Sequence, residues 1–108
     1  MKYIEKNGKK IDLVLMNSFT KKLIGLMFKK TPIKEAYLFN NTNGIHTFFM
    51  RQNIDVLLLN KDYKVLKVIK NLKPWKVIMP KKNIKYTIEL PINLTTFIEG
   101  ETLTIKEK

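Results

Sequence analysis

At 108 residues and 12.8 kDa, with 44% hydrophobic and 10% aromatic residues, the chain has the size and composition of one folded domain, and disorder is not its default state. The absence of cysteine excludes disulfides, thiolate metal sites and a cysteine nucleophile, and no apolar run approaches the ~20 residues of a membrane helix. A net charge of +12 would attract nucleic acid, anionic lipid or acidic proteins, but the lysines are spread from Lys2 to Lys108 and Arg51 is the sole arginine, so non-specific attraction is expected over specific nucleic-acid reading.

The opening residues Met1 to Gly8 hold no apolar core of signal-peptide length, which points to a cytoplasmic protein, and Asn7-Gly8 is a turn signal. Ile11 to Leu15 alternates as a strand with Ile11, Leu13 and Leu15 inward. Asn17 or Ser18 can cap a short amphipathic helix over Phe19 to Phe28, whose stripe is Leu23, Ile24, Met27 and Phe28, with Gly25 marking a close backbone approach. Thr31-Pro32 ends that unit, Ala36 to Phe39 reads as a strand, and Asn40 to Gly44 is a polar turn in which Asn43 is a candidate contact.

The next stretch, Gly44 to Val56, carries the only histidine and the only arginine. Read as a strand, His46, Phe48 and Met50 share one face and Thr47, Phe49 and Arg51 the other. A turn near Gln52-Asn53 leads into Ile54 to Leu59, a deeply buried strand, so that His46 and Asp55 fall on neighbouring segments. Arg51 offers a planar fork for a carboxylate or phosphate, and Asp55 can serve as its ion-pair partner, as a cap or as an acid/base. With no other histidine, His46 suits a half-buried core position better than a metal ligand, and no metal is expected.

A turn at Asn60-Lys61-Asp62 joins Ile54 to Leu59 to a second hairpin arm, Tyr63 to Ile69, and Asn71 to Lys76 follows as a loop. In it Trp75, the sole tryptophan, is expected half-buried at the rim of a site, where it can stack on a ring, sugar or base. Met79 to Lys82 is a turn, and Ile84, Tyr86, Ile88 and Leu90 then alternate with polar residues in the clearest amphipathic strand, ended by Pro91. Asn93 to Glu99 reads as a short helix stopped by Gly100, and Leu103 to Ile105 as a last strand.

His46-Thr47, Met50 and Asp55, in the spacing His-Thr-x-x-Met-x-x-x-x-Asp, resemble the signature of the family named domain of unknown function 192. Gly25-Leu26-Met27, Lys73-Pro74-Trp75, Glu89-Leu90-Pro91 and Gly100-Glu101 follow the family's order, and the resemblance runs over roughly residues 11 to 106. Lys29 and Lys30 stand where the family has an arginine, Ile92-Asn93 where it has a small residue, and Glu101 replaces its aspartate. The resemblance implies a compact, mainly antiparallel β domain with short helices and implies no established activity.

Together these features describe a single domain over 1–108, mainly β within the α+β class, an antiparallel barrel-like or sandwich domain with one or two short helices. No phosphate loop, zinc spacing or nucleophile elbow is present, and Ser18, the only serine, sits at a cap. The first functional reading is a binding module with no cofactor, its site built from His46, Met50, Arg51, Asp55, Trp75 and Asn43 and its ligand small and polar, anionic, or a peptide. The second is an enzyme in which His46 acts as general base with Asp55, Glu35 or Glu89, and Arg51 holds an anionic intermediate. The third is a non-specific binder of nucleic acid or anionic surfaces through the lysines.

Overall fold

The structure is a computed structural model that describes residues 2–16, 35–40, 45–46, 52–78, 82–94 and 96–107. The strands among them are β1 (Lys2–Lys6), β2 (Lys9–Met16), β3 (Ala36–Asn40), β4 (Ile45–His46), β5 (Ile54–Leu59), β6 (Val65–Leu72), β7 (Val77–Ile78), β8 (Tyr86–Pro91) and β9 (Lys106–Glu107). Seven form one sheet in the order β6-β5-β8-β3-β2-β1-β9, and β4 pairs with β7 in a separate ribbon.

The sheet begins with a hairpin between β1 and β2. Asn7 and Gly8 both take positive φ, at 52° and 78°, the backbone that a two-residue hairpin turn needs. β1 itself was not expected from the sequence, because only Ile4 in it is fully buried. The antiparallel expectation holds for every ladder of the large sheet except β2 with β3, which run parallel with Leu13 opposite Ala36. A parallel pair needs a crossover connection, and the stretch between these strands is long enough to make one. The helix expected over Phe19 to Phe28 falls in that stretch, outside the described residues.

Both faces of the central strands are buried. On one face Leu57 and Leu59 of β5 and Ile88 and Leu90 of β8 pack with Ile4, Ile11, Leu13, Leu38 and Val65, and Phe97 and Leu103 close over them. On the other, Ile54, Val56 and Leu58 pack with Tyr37 and Phe39. A fully buried aliphatic side chain contributes roughly 1.5–3 kcal/mol, so β5, buried at every position, anchors the domain. Leu15, expected inward with Ile11 and Leu13, is instead 41% exposed, because the first core cluster does not extend to the end of β2.

No helix is found among the described residues of Asn93 to Glu99. Ile92 and Asn93 form a turn, Asn93 has φ 57°, and Thr96 to Ile98 run without regular structure, placing Phe97 on the core. Residues 100–103 then lie along the start of β6. The Gly100 N–H donates to the Val65 carbonyl (2.8 Å), the Val65 N–H to Glu101 (2.8 Å) and the Leu103 N–H to Tyr63 (2.9 Å), and Lys64 bridges Thr102. Three residues further on, β9 pairs with β1. The segment 100–107 therefore reaches from one edge of the sheet to the other, which makes the domain barrel-like, although the ladder itself is not closed.

Candidate functional site

Asp55 is the one charged residue of β5, with its side chain 5% exposed. A buried carboxylate needs donors, and three converge on it. Its Oδ1 accepts the Asn71 N–H at 2.7 Å, and its Oδ2 accepts the Lys70 ammonium at 2.7 Å and the Asn93 N–H at 3.1 Å. Asn71 and Asn93 both have positive φ, at 54° and 57°, a conformation asparagine tolerates better than most residues. The register of β6 against β5 shifts between Ile54 and Val56, so that Lys70 and Asn71 together face Asp55 in a β-bulge. The Asn53 side-chain amide donates to the Asn71 side-chain oxygen at 2.9 Å and holds the bulge from the other side. Asp55 thus ties β5 to the bulge of β6 and to the turn after β8.

Lys70, Asn71 and Asn93 were not among the residues singled out from the sequence. The signal for two of them was local: Asn71 and Asn93 each stand near the end of a strand, where a residue that accepts positive φ can turn an N–H inward. Arg51, the expected ion-pair partner, lies outside the described residues, and the salt bridge Asp55 makes within them is to Lys70. Asn43 and Met50 also lie outside them.

His46 lies on β4, whose backbone places it opposite Val77 of β7, and Ile45 opposite Ile78. β4 does not pair with β5, so the segments of His46 and Asp55 belong to different sheets. Trp75 precedes β7 by two residues, in the turn after Pro74. It is 59% exposed, more than the partial burial expected at the rim of a site, and Val77 is 54% exposed. Trp75 has φ 63°, a left-handed backbone that costs a bulky side chain roughly 1–3 kcal/mol. Lys73 and Lys76 beside it are also exposed.

Two further carboxylates were candidates for catalysis. Glu89 is 5% exposed on the face of β8 that also carries Thr87, with Tyr37 and Val56 as its cross-strand neighbours. Glu35 accepts the Tyr37 hydroxyl at 3.2 Å. Among the described residues no three of His, Cys, Asp and Glu come together in a way that can hold a metal ion.

The family model of DUF192, described as Uncharacterized ACR, matches residues 2–103. The chain is 36% identical over 91 residues to a UPF0127 protein of Pyrococcus horikoshii, a match covering 81% of this chain and 78% of that one. A UPF0127 protein of Pyrococcus abyssi is 33% identical over 93 residues, with 81% and 77% covered. In structure the chain is similar to a protein of unknown function from Novosphingobium aromaticivorans, with a TM-score of 0.70, 12% identity, and 98% of this chain and 83% of that one covered. At that identity the likeness is one of fold.

Proposed function

From the premise that this chain belongs to the DUF192 family, we propose that the domain is a binding module whose site lies on the β4–β7 ribbon and takes a small polar or anionic ligand or a peptide segment. The observation that carries this reading is Trp75, 59% exposed and held at φ 63° in the turn leading into β7. A glycine would occupy that backbone at no steric cost, so a tryptophan there is explained by the use of its ring. His46 stands on the paired strand opposite Val77, and the exposed Lys73 and Lys76 flank Trp75 in sequence and add positive charge to this region. Met50, Arg51 and Asn43, which flank His46 in the chain, complete the proposed lining.

The surroundings of Asp55 favour binding over general-base catalysis. Its carboxylate already accepts from two backbone N–H groups and an ammonium, and it sits on a strand that does not pair with that of His46. An acid/base group needs a free oxygen within hydrogen-bond reach of its partner, and the bulge and turn consume most of this one's accepting capacity. Asp55 therefore belongs to the frame of the module.

Trp75 is the only tryptophan, so its fluorescence reports on this site alone. Phosphate, citrate, nucleotides and short peptides are to be titrated at low and high salt, with thermal unfolding followed in parallel on wild type and His46→Ala. A ligand at a hundred times its Kd adds about 2.7 kcal/mol to the folded state, which a thermal shift resolves. The expected outcome is a saturable change in emission and a stabilisation that survive high salt and vanish in His46→Ala. A response to oligonucleotides alone, lost at high salt and unchanged by the substitution, would overturn the reading.

A further inference from the structure

We infer that the outer edge of β6 is a second docking site, distinct from the Trp75 ribbon, and that it takes an extended acidic peptide by strand addition. β6 stands first in the sheet order, so among the described residues one of its sides is an edge. Lys67 and Lys70 lie on this strand and Lys64 just before it, and all three are exposed. Lys67 pairs with Leu58 on one face, while Lys70 reaches Asp55 on the face of Leu57 and Leu59. A strand added at this edge would thus meet Lys67 on one face and, on the other, the half-exposed Lys70 that Asp55 holds in place.

The chain itself shows what chemistry the edge accepts. Its first part is covered by the segment Glu99-Gly100-Glu101: the Val65 N–H donates to the Glu101 carbonyl, the Gly100 N–H to the Val65 carbonyl, and the Val68 N–H to the Glu99 carboxylate at 3.4 Å. An acidic segment in backbone contact with β6 is therefore already present at one end. Beyond Val68, the ladder of β6 among the described residues is with β5 alone. Edge lysines discourage pairing with apolar or basic strands, and the same charges select an acidic one.

Fluorescence anisotropy on labelled peptides tests this. The probes are a decamer alternating Glu and Val, the same decamer with Lys for Glu, the acidic decamer N-methylated at alternate residues, and a thymidine oligonucleotide of equal charge. The acidic decamer is expected to bind, to weaken as salt rises, and to lose at least tenfold in affinity to the Lys67→Glu/Lys70→Gln variant, whose thermal midpoint stays near that of wild type. N-methylation keeps the charge and removes the backbone donors, so it is expected to abolish binding. Equal binding of the N-methylated peptide, tighter binding of the oligonucleotide, or undiminished affinity in the double variant would overturn the inference, and the peptide series on wild type decides the matter whether or not the variant folds.

Discussion

β5 and β6 are the two arms of one hairpin, yet every residue of β5 is buried, whereas in β6 only Val65 is. The central arm tolerates one charged residue, and that residue is bound by three donors. The edge arm carries two exposed lysines, of which Lys70 turns to Asp55. The contrast bears directly on how a charged residue is read. In a strand buried on both faces, an acid must be satisfied internally and is consumed by the frame. In an edge strand the same charge stays available to a partner.

The sharpest way to break this comparison is Asp55→Ala, which strands the N–H groups of Asn71 and Asn93. Each such orphan costs about 1–3 kcal/mol, so a loss of about 4 kcal/mol is expected, read as a lower urea midpoint with an unchanged slope. Leu57→Ala should cost about 3 kcal/mol for the cavity it leaves, while Leu66→Ala, at a position 37% exposed in β6, should stay below about 0.5 kcal/mol. Equal sensitivity of the two leucines would end the distinction between the arms. Lys70→Ala sharpens it further. The lysine side chain is 50% exposed, so the salt bridge is screened, and about 0.5 kcal/mol is expected even though its partner is deeply buried.

The smallest effect concerns the hairpin turn. Tyr63 stacks on Tyr86 with ring centroids 4.4 Å apart, and burial first, then the hydrogen bond and charge of Tyr86, push its hydroxyl up from 10.0 to about 12. The fold favours the protonated phenol. That contribution is complete below pH 10 and is lost as the pH rises towards 12. Alkaline unfolding curves should show the decline in wild type and a smaller one in Tyr63→Phe.

Much of this hairpin was legible in advance. Ile54 to Leu59 stands out as an apolar run bounded by turn residues, and its observed limits are those read from the sequence. The second arm was placed two residues early, because Tyr63 takes φ 62° and belongs to the turn, where the Asn60 side chain accepts the N–H groups of Asp62 and Lys64. The bulge of β6 opposite Asp55 is not legible in the sequence, since it depends on Asp55 reaching across to another strand. The parallel pairing of β2 and β3 was missed for a similar reason, as alternation reveals a face but not a direction. β1 was missed because its charged composition hides the one inward side chain, although the Asn7-Gly8 turn was recognised. Trp75 is more exposed than the sequence suggests, because its exposure accompanies a left-handed backbone that local pattern does not foretell.

The segment 100–107 that spans the two sheet edges also has a kinetic consequence. The Lys6 ammonium meets the Glu101 carboxylate at 2.7 Å across 95 residues of sequence, and it lies 5.7 Å from the Phe97 ring centroid. A contact with so long a loop forms only after most of the chain's entropy has been surrendered. The open sheet is therefore expected to form first and the segment to latch last, so that Glu101→Ala should speed unfolding and leave the folding rate unchanged in stopped-flow traces. Until it does, the folding chain shows two unpaired edges to its neighbours, and aggregation during refolding should depend on how quickly that latch closes.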